Sequence, residues 1–466
     1  MLTMQPGYSI EQFLQRLPRC YRLPELANGG DAALMARPDG TRCSVQLAVI
    51  LEQARQALAA GATPPNEFAQ AFVQAMAEMI QEAAQANSGD PVFQAMVLER
   101  QEPLVREFSA LSSQFQQDKR RVQGLINAIA HPEKLQRHPP GPLNDALSQL
   151  GDAGAAAQWS RLPALLQEAL SAPDTRNDSN MADTLTQIRE APALQRLIRL
   201  DILREDRAVK QYLALREQFG PSANSAAAAR QGAEGRKRGM GVETLAAQAL
   251  EVLAQQLDGK GDGSTSYRVV TAMYVPASLS AGHHGAKTEW DVVLLKQASD
   301  SDSAAPTFDM CLLLEAKASP DSVGGDLPRL LRGLQLLAAA DPEDVYIFRA
   351  REGSFPLRGA SLSQLPTQPD RLAGSVLYCS DAPAEPHPRL LSAASRMKLL
   401  SAPQSLEFAA AQAKGSTPDL QPLQSLWQQV LSEPEWNSVL CQTLAMEEAR
   451  KLMVHTDDLL AGAYQL

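Results

Sequence analysis

The chain has 466 residues, with 43 Lys and Arg against 53 Asp and Glu, giving a formal net charge of −10. Hydrophobic residues make up 44% and charged residues 21%, which is too apolar for a disordered chain and enough for more than one core. The acidic balance argues against a protein that coats nucleic acid over its whole surface, but it leaves room for a local basic groove. Aromatic residues are scarce at 5%, and Ala, Leu and Gln are plentiful, which favours helices over an all-β design. No apolar run approaches the roughly 18–20 residues that span a bilayer. The opening stretch MLTMQPGYSIEQF lacks the basic and apolar regions of a secretory signal. Cys20, Cys43, Cys311, Cys379 and Cys441 are scattered and form no CxxC, which excludes a disulfide framework and a zinc ribbon. A cytoplasmic protein with no membrane partner is expected.

Residues 1–222 read as helices. Phe68, Phe72, Met76, Met79 and Ile80 follow helical spacing after Asn66, a plausible N-cap. Between Pro103 and Pro132, residues Phe108, Leu111, Phe115, Val122, Leu125 and Ile129 alternate by threes and fours, with Asp118 interrupting one core slot. A helical hairpin over 104–130 or a short coiled coil is expected there. The Pro-rich residues 131–143 predict a loop, and helices resume from Trp159 to about Phe219. On a helix starting at Pro192, Arg196, Arg199, Arg207 and Lys210 fall within an arc of roughly 80°. That stripe is either a track for a phosphate backbone or a solvated face, with Asp201, Glu205 and Asp206 just beside it.

Residues 220–241 (GPSANSAAAARQGAEGRKRGMG) predict a linker or a mobile basic loop carrying Arg236, Lys237 and Arg238. They contain no phosphate-loop motif. The grammar then changes. Residues 242–257 are helical, and residues 267–275 (YRVVTAMYV), 290–295 and 309–318 (DMCLLLEAKA) read as strands. A helix over 326–340 follows, then a strand at 345–349 and a further apolar run at 374–378 that closes the sheet. The order α-β-β-β-α-β implies a mixed sheet flanked by helices. Helical segments are expected again at 423–431 and 436–456, where Trp427, Trp436, Leu440 and Leu444 would pack against another part of the chain.

Chemistry concentrates where the apolar run Leu312-Leu313-Leu314 meets Glu315-Ala316-Lys317. Strand period two puts Glu315 and Lys317 on one face. The neighbouring strand opens Glu289-Trp290-Asp291 before turning apolar, and Glu243 sits near the start of the preceding helix. Three hard oxygen donors suit Mg²⁺ or Mn²⁺, and a lysine beside them can orient a water or neutralise a phosphate. His283-His284, in the loop before the second strand, is read as a surface turn, and Cys311 as a small core residue.

With these residues the chain resembles the PD-(D/E)xK nucleases, the restriction-endonuclease-like fold, over residues 225–385. The motifs are Gly241-Val242-Glu243, Glu289-Trp290-Asp291-Val292-Val293 and Leu314-Glu315-Ala316-Lys317. Trp290 stands where many members have proline, and the interval from Asp291 to Glu315 is long. The resemblance implies an αβββαβ core at 223–385 within an α+β/α/β multidomain chain, between a helical region at 1–222 and a helical tail at 386–466. It implies that Asp291, Glu315 and the Ala316 carbonyl bind Mg²⁺ or Mn²⁺. Glu243 would assist directly or through water, and Lys317 would position the attacking water. Arg332 or Gln335 from the following helix, and Glu289, would be accessory. The implied activity is hydrolysis of nucleic acid, with DNA the expected substrate and the helical regions available for a protein partner or a second copy. Two alternatives stand beside it: a nuclease fold that binds nucleic acid or protein without catalysis, and a helical scaffold whose α/β domain is structural.

Overall fold

The computed structural model describes residues 10–24, 42–136, 140–176, 178–219, 226–260, 266–280, 285–298, 306–415 and 419–466. His283, His284 and most of the Ser/Asp-rich loop after the second strand lie outside them. The protein is predominantly helical with one mixed sheet, an α+β architecture. No helix among the described residues is long and apolar enough to cross a membrane.

Seven strands form the sheet: β1 (Tyr267–Tyr274), β2 (Glu289–Gln297), β3 (Phe308–Ala316), β4 (Val345–Ala350), β5 (Gly353–Arg358), β6 (Val376–Ser380) and β7 (Met453–His455). β2 pairs antiparallel with β1 and with β3. β3 then pairs parallel with β6, and β6 parallel with β7. β4 and β5 form an antiparallel hairpin, joined to β1 at Tyr274–Arg349 and to β3 at Phe308–Leu357. The expected strand at 345–349 therefore exists, but the main parallel neighbour of β3 is the later run, β6. β5 was hidden from sequence reading by Pro356, which reads as a breaker although it sits within the β4–β5 hairpin opposite Ile347.

Alternation along β2 and β3 feeds two cores. Val292, Leu294, Leu312 and Leu314 pack under the Ala226–Lys260 helix through Ala246, Ala249, Leu250 and Leu253. The Ile10–Arg16 and Thr456–Tyr464 helices join that face through Phe13, Leu14, Leu459 and Ala463. Val293, Leu295 and Leu313 face the Val323–Ala338 helix, whose Leu327, Leu330, Leu334 and Leu337 point back at them.

The described residues divide into two compact units: 1–80, 223–404 and 420–466 in one, and 81–222 with 405–419 in the other. This differs from a partition at 222 and 385, because the outlying segments complete the sheet-containing unit. The tail is also not wholly helical. Within the expected 436–456 helix, Met453–His455 is strand β7. Trp427, Trp436 and Leu440 are buried, with Trp427 against Phe72 at 4.9 Å between ring centroids, while Leu444 is exposed.

Three further expectations are corrected. The 104–130 segment is not a hairpin but one continuous helix, Pro103–Ala130. Its only glycine, Gly124, meets open space, so nothing forces a break. The 131–143 loop contains a short helix, Pro132–Leu135. The basic 220–241 segment is not all linker, because the Ala226–Lys260 helix runs through it. Its Ala, Arg and Glu residues favour helix, and Gly235, Gly239 and Gly241 face open space.

The arginine stripe is also reassigned. It does not lie on one helix: Pro192–Arg204 ends, and Asp206 caps a new helix, Arg207–Phe219, by accepting from the amides of Ala208 and Val209 at 2.8 and 3.2 Å. Arg196 grips Asp118 with two bonds of 2.8 and 2.6 Å. Arg199 grips Glu107 at 2.7 and 2.8 Å, and Lys210 meets Glu205 at 2.7 Å. Arg207 is exposed. Three of the four cations are thus committed to carboxylates rather than held out for phosphates.

Candidate active site

The site forms where β2 and β3 leave their shared ladder. The last paired residues are Val292 and Leu314. Beyond them the Asp291 carboxylate turns across, and its Oδ2 accepts the Ala316 amide at 2.8 Å. On the other side β3 stays in register with β6, Glu315 opposite Tyr378, and the Lys317 amide donates to the Cys379 carbonyl at 2.8 Å. The Glu315-Ala316-Lys317 end of β3 is therefore pinned on one flank by the Asp291 carboxylate and on the other by a backbone bond. Ala272 and Asp291 face each other unpaired within an otherwise unbroken register: Thr271 pairs with Val292 and Met273 with Trp290, and Ala272 has φ +48°. A non-glycine residue in that region is strained, and here it breaks the pairing beside Asp291.

Glu315 is fully buried and surrounded by charge. The Lys287 ammonium lies 2.5 Å from its Oε2 and 3.9 Å from Asp291 Oδ1. The Lys287–Oε2 contact is a close ion pair, and Glu315 Oε1 has no hydrogen-bond partner. Lys317 sits 3.7 Å from Glu315 and 2.9 Å from Asp326, which also accepts from the Tyr378 hydroxyl at 3.3 Å. Burial, and then Asp291, push the Glu315 carboxyl up to about 8 against the pull of Lys287 and Lys317. Two ammonium groups thus do not offset its desolvation, and the site is short of positive charge. Burial pulls the Lys317 ammonium down, but Glu315, Asp326 and Asp291 outweigh it and its pKa is raised. Burial, then Asp326, raises the Tyr378 phenol far above its ordinary range.

This shift has a stability consequence. Between pH 4.5 and about 8 the unfolded chain releases a proton that folded Glu315 retains, so its contribution to stability falls as pH rises through that window. Glu315→Gln removes the titration. The melting temperature of Glu315→Gln minus that of wild type, in chelator-treated buffer, should therefore climb from pH 5 to pH 8. A difference that stays flat would contradict the burial argument.

The other expected residues divide as follows. Glu243 is drawn to Arg351 at 3.4 Å; burial first and Asp291 second raise its carboxyl, with Arg351 opposing. Glu289 is exposed and bonds the Tyr274 phenol across the β1–β2 pair. Arg332 is exposed and donates to the Gly285 carbonyl at 3.0 Å rather than to the site, and Gln335 is exposed. The residue this helix does supply is Asp326, in its first turn. Arg236, Lys237 and Arg238 are exposed on the Ala226–Lys260 helix, before Glu243. Among the described residues no three Asp, Glu, His or Cys side chains are gathered closely enough to hold an ion. The donors that do meet, Asp291 and Glu315, are hard oxygens, and Glu315 Oε1 is buried without a partner. That pair suits a cation such as Mg²⁺ or Mn²⁺ with water completing its shell.

Sequence reasoning missed Lys287, Asp326 and Tyr378. Lys287 stands four residues before Asp291 in Lys-Thr-Glu-Trp-Asp, where only its position beside an apolar strand hinted at burial. It is held there by Gly333: a Cβ on that glycine would lie 2.8 Å from both the Lys287 Cβ and its carbonyl oxygen. The Lys287 amide also donates to the Arg329 carbonyl at 3.2 Å. Gly333→Ala should cost about 1–3 kcal/mol in denaturant unfolding, because backbone rather than a flexible tip must yield. A variant as stable as wild type would show that this approach is not tight.

No protein-family model matches this chain, and no curated protein or solved structure is significantly similar to it.

Proposed function

We propose that this protein is a metal-dependent nuclease of the PD-(D/E)xK type, hydrolysing phosphodiester bonds, with DNA the expected substrate. The observation that carries the reading is the meeting of Asp291, Glu315 and Lys317 at the joined ends of β2 and β3, with Asp291 bonded to the Ala316 amide. Asp291 and Glu315 would hold Mg²⁺ or Mn²⁺, with the Ala316 carbonyl beside them. When bound, such an ion stabilises charge on a phosphoryl oxygen and lowers the pKa of water. Lys317, steadied by Asp326, carries a positive charge to the same point and can orient the attacking water or the phosphate. Arg236, Lys237 and Arg238 are the exposed cations on the same helix as Glu243 and serve as candidate backbone contacts.

A nuclease fold that binds without cutting is the second reading. It is favoured by Lys287, whose ammonium already lies between the two carboxylates. Incubation with linear, nicked, branched and single-stranded DNA and with RNA, in Mg²⁺, Mn²⁺ or chelator, separates the two. Metal-dependent cleavage supports the nuclease. Retention of a substrate without cleavage supports the binding module, and neither result leaves the helical scaffold.

A further inference from the structure

We propose that Lys287 is a built-in cation lodged between Asp291 and Glu315, and that a divalent ion gains both carboxylates only by displacing its ammonium. This rests on the metal-dependent reading above. The placement is constructed rather than incidental. The Lys287 side chain is only 6% exposed, and Glu315 is completely enclosed. The ammonium lies 2.5 Å from one carboxylate and 3.9 Å from the other, and 5.7 Å from the centre of the Trp290 ring. Its backbone is clamped by Gly333 and by the bond to Arg329, so the main chain has little room to move. The three carbons beyond Cβ and the ammonium they carry are the part free to swing.

The charges explain why displacement is needed. A buried carboxylate pair calls for compensating charge, and the Lys287 ammonium supplies part of it without any ion. A divalent ion at the same place competes with that ammonium through direct repulsion at short range. Glu315 Oε1, buried and unpartnered, gives an incoming ion a first foothold while Lys287 still holds Oε2. Asp291 Oδ2 accepts the Ala316 amide, and Oδ1 is the oxygen that faces Lys287, for which the ion competes with the ammonium. Metal affinity in the wild-type chain is accordingly lower than its donors alone would confer.

Mn²⁺ binding to the full-length protein, followed by electron paramagnetic resonance and calorimetry, tests this with Lys287→Met and the milder Lys287→Gln. Both variants should bind Mn²⁺ at least about tenfold more tightly than wild type. Their melting temperatures should also rise more on Mn²⁺ addition. A Lys287→Met chain that folds only once Mn²⁺ is supplied supports the proposal equally. Unchanged or weaker Mn²⁺ affinity overturns it, and so does failure of both variants to fold with or without Mn²⁺. Unchanged affinity together with metal-dependent cleavage by wild type sinks the displacement alone. Tighter binding by the variants, with a wild type that cuts nothing, sinks the nuclease reading alone. No Mn²⁺ binding by any of the three proteins overturns both.

Discussion

On the nuclease reading, replacing Asp291 or Lys317 with alanine is expected to lower metal-dependent cleavage by about 10²–10⁴-fold while leaving the fold intact. The two substitutions act on different parts of the chemistry. Asp291→Ala removes one of only two carboxylates that meet at the site and releases the Ala316 amide it holds at 2.8 Å. It also removes the charge that opposes ionisation of Glu315, so its structural cost is partly offset. Lys317→Ala removes the ammonium that faces Glu315 at 3.7 Å and Asp326 at 2.9 Å. Asp326 keeps the Tyr378 hydroxyl as a partner, which limits the damage to packing. Single-turnover cleavage under saturating Mg²⁺, with circular dichroism as the folding control, reads the effect. If both variants cut like wild type, the site lies elsewhere.

The largest expected loss of stability in the helical unit comes from Arg196→Met. Asp118 is buried in the middle of the Pro103–Ala130 helix, and its two oxygens are satisfied by the Arg196 guanidinium at 2.8 and 2.6 Å. Removing the arginine strands a buried carboxylate, and because the guanidinium is one-third exposed to water the cost is about 1–3 kcal/mol. Replacing both residues with apolar ones of similar size should recover most of that loss, because the cost lies in the unpaired charge rather than in the missing bond. Hydrogen exchange of peptides covering 103–130 and 192–204 measures the effect within this unit. Protection should fall sharply in Arg196→Met and return in Asp118→Leu/Arg196→Met. Equal protection in all three would mean the pair is effectively solvated.

The same two residues show where sequence reading stopped. Periodicity places Arg196, Arg199, Arg207 and Lys210 on one projected face, yet it is blind to Asp118 and Glu107, which lie 78 and 92 residues away and capture two of them. It is also blind to the Asp206 cap, because a cap is a local side-chain bond that leaves apolar spacing undisturbed. β2 and β3 were legible because Val292–Leu295 and Leu312–Leu314 are near-continuous apolar runs, as buried strands are, and Asp291, Glu315 and Lys317 stand at their ends. Lys287 was not legible, since its burial depends on Gly333, a residue with no side chain to advertise the contact. The accessory residue of the following helix was misjudged for a geometric reason. Its first turn, carrying Asp326, abuts the end of β3, whereas Arg332 and Gln335 lie on its exposed face.

The way the sheet is completed bears on how the chain comes into being on the ribosome. Arg19 donates to the Leu452 carbonyl across 433 residues of chain, and Phe13 and Leu14 share a core with Val454 and Leu459. At about 5–20 residues per second, translation separates the emergence of these partners by roughly 20–90 s. During that interval the Ile10–Arg16 helix lacks its C-terminal partners, while residues 81–222 have already emerged and can settle on contacts of their own. β6, buried along its whole length, likewise waits for β7 with an open edge. Until β7 arrives, the unpaired edge of β6 is a template on which a strand of another chain could pair.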